Sequence, residues 1–232
     1  MHKYQCVMFD LYSTLIDDSN SLAQREKYRL DSIYTILEKS NYPTTFAELS
    51  EKYGKMTFYT YDYHESDIAF SPFAQIDYLL KSLNVNDIVV FKKVYDAYTG
   101  AVLHILPKPM KNAKKALELL KSHGIKIGLI SNTGKTPGMA LRLMLKSIEL
   151  YQYFDDTLFS DEVGFLKPNK HIFDIAIDRL AVERKETIFI GDLKASDYDG
   201  AIAAGLNAHL FDPVQEDLYK LALVYSGEME TF

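Results

Sequence analysis

The sequence predicts an α/β protein: a parallel-sheet core in two pieces, residues 1–16 and 106–232, with an all-helical module over 17–105 inserted after the first strand. Three observations predict it. Short apolar runs alternate with helical patterns through the second half of the chain. The segment 17–105 carries helical periodicity without a convincing strand. Three apolar runs stop at a polar residue capable of chemistry, Asp10, Ser131 and Asp192.

The run YQCVMF (4–9) reads as the first strand. In the inserted module, Leu30, Ile33, Tyr34 and Leu37 recur at intervals that line one face of a helix. Thr45, with Glu48 three residues on, is a capping-box signature for a second helix. SPFAQIDYLLKSL, with Pro72 near its start, and NDIVVFKKVYDAYTGAVL add two more. After LPKP the chain alternates. Helices at about 110–122, 137–149, 168–180 and 195–204 separate the strand-like runs IKIGLI (125–130), TLFS, TIFI (187–190) and NAHLF. Strands alternating with helices of about a dozen residues mean βα units and a parallel sheet covered on both faces.

Composition narrows the function. A chain of 232 residues is long enough for a substantial core, and 47% hydrophobic with 25% charged residues is the balance of a folded globular protein. The net charge of −6, with no dense Lys/Arg block, argues against nucleic acid as a partner. The lone Cys6 sits inside an apolar run and reads as a core residue. No stretch approaches 18 apolar residues and the chain opens without a leader-like segment, so no membrane partner is expected and the cytoplasm is the expected location. The six histidines lack zinc-like spacing.

In an open parallel sheet the carboxyl ends of the strands share one edge, and ligands bind in the crevice there. Asp10, Ser131 and Asp192 should therefore converge, although each taken alone reads first as a helix cap. Asp192, Asp197 and Asp199 crowd a turn into a helix in GDLKASDYDG. Clustered carboxylates repel unless a cation neutralises them, and hard oxygen donors with no thiol or imidazole nearby suit Mg²⁺. LISNTGKTPG offers an anion cradle from Ser131, Asn132 and the backbone N–H groups around Thr133 and Gly134. Lys135 either assists there or faces solvent. Lys167, just before Pro168, could neutralise a nucleophilic carboxylate and the charge on a transferring group.

Asp10-x-x-x-Thr14, Ser131, Lys167-Pro168, and Gly191-Asp192 with Asp197 resemble, in order and spacing, the four motifs of the haloacid dehalogenase-like (HAD) hydrolase superfamily, and 17–105 resembles the helical cap inserted after the first motif. The resemblance implies a Rossmann-like core and a role for each residue. Asp10 would be the nucleophile, with Tyr12 and Lys167 as the other catalytic residues. Ser131, Asn132 and Thr14 would bind substrate. Mg²⁺ would be held by Asp10, the Tyr12 backbone carbonyl and Asp192, with Asp197 orienting its shell.

Most phosphatases of that superfamily carry a second aspartate two residues after the nucleophile, as general acid and base; here Tyr12 stands in its place. A positioned acid is worth roughly 10²–10⁴ in rate, about 3–5 kcal/mol of barrier. Its loss falls on alkyl phosphates, whose alkoxide leaves badly, far more than on acyl or aryl phosphates. Tyrosine is also what 2-haloacid dehalogenases of the superfamily carry there (D-x-Y-G-T against DLYST), and halide leaves unprotonated and without Mg²⁺. The acidic Gly-Asp motif and the anion cradle outweigh one tyrosine. The expectation is a Mg²⁺-dependent phosphatase or phosphotransferase acting on a small phosphorylated metabolite as a monomer or homodimer. A haloacid dehalogenase is the alternative, and a catalytically weak binding member is the third reading.

In the inserted module, Phe58, Tyr59, Tyr61, Tyr63 and Phe70 read as packing between helices or lining a dimer surface, with a tyrosine or His64 available to read the substrate. Arg25 and Arg29 could contact a substrate carboxylate, but beside Glu26 they read as a solvated ion-pair face.

Overall fold

The computed structural model describes residues 4–64 and 70–229, with side chains left out over 61–64. The chain opens with β1 (Cys6–Phe9) and the two-residue β2 (Ile16–Asp17), followed by four helices, α1 (Leu22–Lys39), α2 (Phe46–His64), α3 (Pro72–Ser82) and α4 (Ile88–His104). Then come β3 (Lys108–Pro109), α5 (Ala113–Ser122), β4 (Lys126–Ser131) and α6 (Gly138–Ser147). The last third carries β5 (Asp156–Phe159), α7 (Ser160–Val163), α8 (Lys170–Leu180) and β6 (Thr187–Gly191). A π-helical turn (Lys194–Asp199) runs into α9 (Gly200–Ala203), before β7 (Asn207–Leu210) and α10 (Leu218–Ser226).

The chain divides into two compact units. One comprises Met1–Asp18, Pro107–Asn132 and Leu145–Phe232; the other comprises Ser19–Leu106 and Thr133–Met144.

The first unit is α/β. Its five strands are parallel in the order β5-β4-β1-β6-β7, so the chain starts in the middle of the sheet and builds outward on both sides. All four residues of β1 are buried, the expected burial of a central strand covered on both faces. Phe9 pairs with Leu129 of β4 and Ile190 of β6, which brings the carboxyl ends of the three strands level. On one face, Met8, Ile130, Phe173, Ile177 and Phe189 pack in a single core, with Phe173 edge-to-face on Phe189 at 5.4 Å. Helix α10 and the antiparallel pair of β2 with β3 have no counterpart in the expectation from sequence.

The second unit is helical. Ile33, Leu37, Leu49, Met56, Ile76, Leu79, Val94 and Tyr98 form its core. Thr45 accepts the Glu48 N–H at 3.1 Å, the cap expected there. Pro72 opens α3 as expected, and Ser71 before it accepts the Ala74 N–H at 3.3 Å, a cap outside the expectation from sequence.

The buried line of α1 is Arg25, Arg29, Ile33 and Leu37, one residue per turn, which corrects the reading of the two arginines as a solvated face. Arg29 is 3% exposed. It donates to the Tyr98 carbonyl at 2.9 Å, to Glu26 at 2.6 Å and to the Thr136 hydroxyl at 3.1 Å. A guanidinium can be buried when its donors all find acceptors, and the periodicity of an apolar face then continues through it. Lys135 reaches Glu26 at 2.5 Å in the same network rather than facing solvent. Phe58 is exposed and touches Tyr59 edge-to-face at 6.0 Å, while Tyr59, though partly exposed, meets Tyr78 of α3 edge-to-face at 5.5 Å. Tyr59 therefore does pack between helices and Phe58 stands at the surface; Phe70 is half-buried. The side chains of Tyr61, Tyr63 and His64 lie outside the described residues. Among the described residues no helix is long and apolar enough to cross a membrane.

Candidate active site

All the residues of the site described here belong to the first unit. Asp10 follows β1 directly, and its N–H donates to the Ile190 carbonyl at 2.9 Å, one step beyond the last strand pair. It is thus fixed at the sheet edge, 8% exposed. Ser131, the last residue of β4, is buried at the same edge.

Lys167 comes to this edge from the segment before α8. Its ammonium donates to Asp10 Oδ1 at 2.6 Å, lies 2.8 Å from Asp197 Oδ1, and sits 4.9 Å from the centre of the Phe189 ring. Burial works to lower the pKa of this amine, and the two carboxylates outweigh it, so the pKa is raised and the group is held as the cation.

Asp197 is placed by the π-helical turn after β6. A π turn inserts an extra residue into the helical path and frequently marks a functional site. Here it turns the Asp197 carboxylate back toward the strand, where Oδ2 accepts the Leu193 N–H at 3.0 Å. The carboxylate occupies the space where a Cβ on Gly191 would stand: such an atom would lie 2.5 Å from Asp197 Oδ2 and 2.6 Å from its Cγ. A side chain at residue 191 and the observed Asp197 are mutually exclusive. The Gly-Asp pair was visible in the sequence, but this close approach was not.

Asp10, Asp192 and Asp197 each bring a carboxylate oxygen within 4.8 Å of the others. Burial first, and then the Asp197 charge against the pull of Lys167, pushes Asp10 up to about 6. Asp192 is raised too, by burial and by Asp197. Three carboxylates face one ammonium, so with all three ionised the cluster is two positive charges short. The donors are all hard oxygens, and the Thr14 hydroxyl is fully buried beside Asp192 without a full hydrogen bond to a described group. The residues fit a divalent cation of the Mg²⁺ kind.

Tyr12 is half-buried in the turn after Asp10, bridged to Ile16. Ser13 beside it has φ 57°, the left-handed conformation that glycine adopts without penalty. Asn132 does not stand free in an anion cradle: its amide is engaged with the backbone of Lys167. Thr133, Gly134 and Lys135 are part of the other unit.

The sequence profile of the family described as haloacid dehalogenase-like hydrolase matches residues 4–205. Over 212 residues, 89% of this chain and 84% of its relative, the sequence is 29% identical to a glyceraldehyde 3-phosphate phosphatase of Methanothermobacter thermautotrophicus. A phosphorylated carbohydrates phosphatase of Thermotoga maritima is 28% identical over 71% of this chain and 74% of its own length. Among solved structures, a 2-haloacid dehalogenase of Pseudomonas syringae pv. Tomato superposes with a TM-score of 0.74 at 19% identity, covering 97% of this chain and all of the other. At that identity the last likeness speaks for the fold alone.

Proposed function

The chain belongs to the haloacid dehalogenase-like hydrolase family, and from that premise we propose that it is a Mg²⁺-dependent phosphatase acting on a small phosphorylated metabolite through Asp10. The observation that carries the reading is the acidic trio at the sheet edge, Asp10, Asp192 and Asp197, in which two of the three acids are pushed toward protonation. A site built for halide displacement gains nothing from added negative charge around its nucleophile. A site for a phosphoryl group and its cation does. Phosphatases among the similar proteins support the same class.

Asp10 attacks phosphorus, the bond from phosphorus to the leaving oxygen breaks, and an acyl phosphate forms on the carboxylate. Water then attacks that phosphorus and returns Asp10. The Lys167 ammonium, already 2.6 Å from Asp10, balances charge as the carboxylate oxygen becomes an ester, and the Ser131 hydroxyl donates to a phosphoryl oxygen. Asp10, Asp192 and the Tyr12 carbonyl would hold Mg²⁺, with Asp197 orienting its shell; when bound it supplies positive charge to the phosphoryl oxygens. With no carboxylic acid two residues after Asp10, the leaving oxygen departs without strong protonation from that position, so good leaving groups are favoured.

Tyr12 is also the one feature that favours haloacid dehalogenation. One panel separates the two: aryl, acyl and alkyl phosphates with and without Mg²⁺, beside 2-chloropropionate with halide detection, and Asp10→Asn as control. Phosphate release that needs Mg²⁺ and Asp10 is expected. Metal-independent halide release would overturn the reading, and binding without any turnover would leave a catalytically weak member.

A further inference from the structure

A primary amide offers two N–H donors and a carbonyl acceptor. Asn132 spends both kinds on one residue: its Oδ1 accepts the Lys167 backbone N–H at 2.7 Å, and its Nδ2 donates to the Lys167 carbonyl at 2.9 Å. The two partners fix the orientation of the amide, since a flipped side chain would set N–H against N–H and oxygen against oxygen. Two bonds to the two backbone groups of a single residue, 35 positions away in sequence, resist both sliding and rotation of that peptide segment.

The segment is held from its other side as well. Pro168 is approached by the Gly200 backbone so closely that a Cβ on residue 200 would stand 2.9 Å from Pro168 Cα. Lys167 therefore leaves a root pinned between the Asn132 amide and the start of α9. From that root its flexible side chain must deliver an ammonium to Asp10 and Asp197 together, at 2.6 and 2.8 Å. Four rotatable bonds make such placement costly unless the backbone at their base is fixed.

The geometry points to Asn132 as a positioning residue that holds Lys167, and not a ligand of the substrate. This rests on the reading of Lys167 as the group that balances charge at Asp10. It divides the LISN stretch between two tasks: Ser131 faces the anion, and Asn132 turns its amide to the peptide of Lys167.

The test uses the full chain with p-nitrophenyl phosphate and Mg²⁺, and a second readout that needs no turnover: hydrogen exchange of the Lys167 backbone amide in ¹⁵N-lysine-labelled protein. For Asn132→Ala, kcat should fall roughly 10- to 100-fold while KM stays within about twofold, because a displaced charge spoils the transition state more than binding. The Lys167 amide should exchange faster. Asn132→Asp keeps an acceptor for the N–H but turns oxygen toward the Lys167 carbonyl; it should lower kcat in the same sense, and it stands in if the alanine variant does not fold. A raised KM with kcat intact would make Asn132 a substrate ligand and overturn the inference, as would unchanged exchange at Lys167. If the wild-type protein releases no phosphate, the phosphatase reading falls, and amide exchange alone decides for or against the clamp.

Discussion

The Lys167 ammonium lies 2.6 Å from the Asp10 carboxylate, with both groups buried. A pair of this kind contributes little net stability as a whole, but removing one partner strands the other's charge away from water. Lys167→Met should therefore destabilise the metal-free protein by about 3–5 kcal/mol, read from urea unfolding. Added Mg²⁺ should restore part of that loss. A variant as stable as wild type would mean that Asp10 is not ionised beside Lys167.

The acids predict a pH dependence with a definite sign. Asp10 moves from 3.8 when unfolded to about 6 when folded, chiefly through burial, and Asp192 is raised in the same direction. Between those two values the folded protein binds more protons than the unfolded chain, so stability falls as pH rises. For Asp10 the change is on the order of 3 kcal/mol, fully expressed above its folded value. Thermal unfolding of metal-free protein should show the highest midpoint near the lower end of that window. Asp10→Asn should flatten the profile and raise the midpoint at neutral pH, because Lys167 keeps Asp197 as a partner at 2.8 Å and is not stranded, and Mg²⁺ should do the same for the wild type. A midpoint that climbs from pH 4 to 6 in metal-free protein would contradict the assignment.

Gly191→Ala tests the close approach behind Asp197. The new Cβ would fall inside the Asp197 carboxylate, which must then give up its bonds to the Leu193 N–H and to Lys167. The cost of overpacking a rigid site is about 1–3 kcal/mol. The sharper readout is Mg²⁺ affinity by calorimetry, expected to fall at least about tenfold as the oxygen trio spreads. Unchanged affinity would show that Asp197 takes no part in holding the ion.

The convergence of Asp10, Ser131 and Asp192 was legible because it follows from strand order alone: apolar runs that end in polar residues meet wherever parallel strands share an edge. Lys167 and Asp197 were legible as residue types at a spacing, while their 2.8 Å contact depends on a π turn that no periodicity announces. Arg25 and Arg29 misled for a related reason. Charge beside charge on a helix reads as solvent, and only the positions of Tyr98, Thr136 and Ile105 show that acceptors wait inside. Strands β2 and β3, two residues each, are too short to have a period at all. Asn132 looked like a cradle residue because its partner, a backbone peptide 35 residues away, leaves no mark in the sequence.

Tyr12→Asp is the decisive substitution for mechanism. With no acid two residues after Asp10, the leaving oxygen departs without a proton from that position, so rates should depend steeply on leaving-group pKa. Aryl and acyl phosphates should be turned over well and alkyl phosphates poorly. An aspartate at residue 12 would enter the same turn, bridged to Ile16 and carried by the left-handed Ser13. If it reaches the leaving oxygen, kcat/KM for an alkyl phosphate should rise by roughly 10²–10⁴, and that for p-nitrophenyl phosphate by far less, because p-nitrophenolate needs no proton to leave. The selective gain is what matters. A uniform change in both substrates would place the effect in binding or folding. A wild-type enzyme that already hydrolyses alkyl and aryl phosphates equally well would mean that a proton donor, the Tyr12 hydroxyl or another group, already serves the reaction.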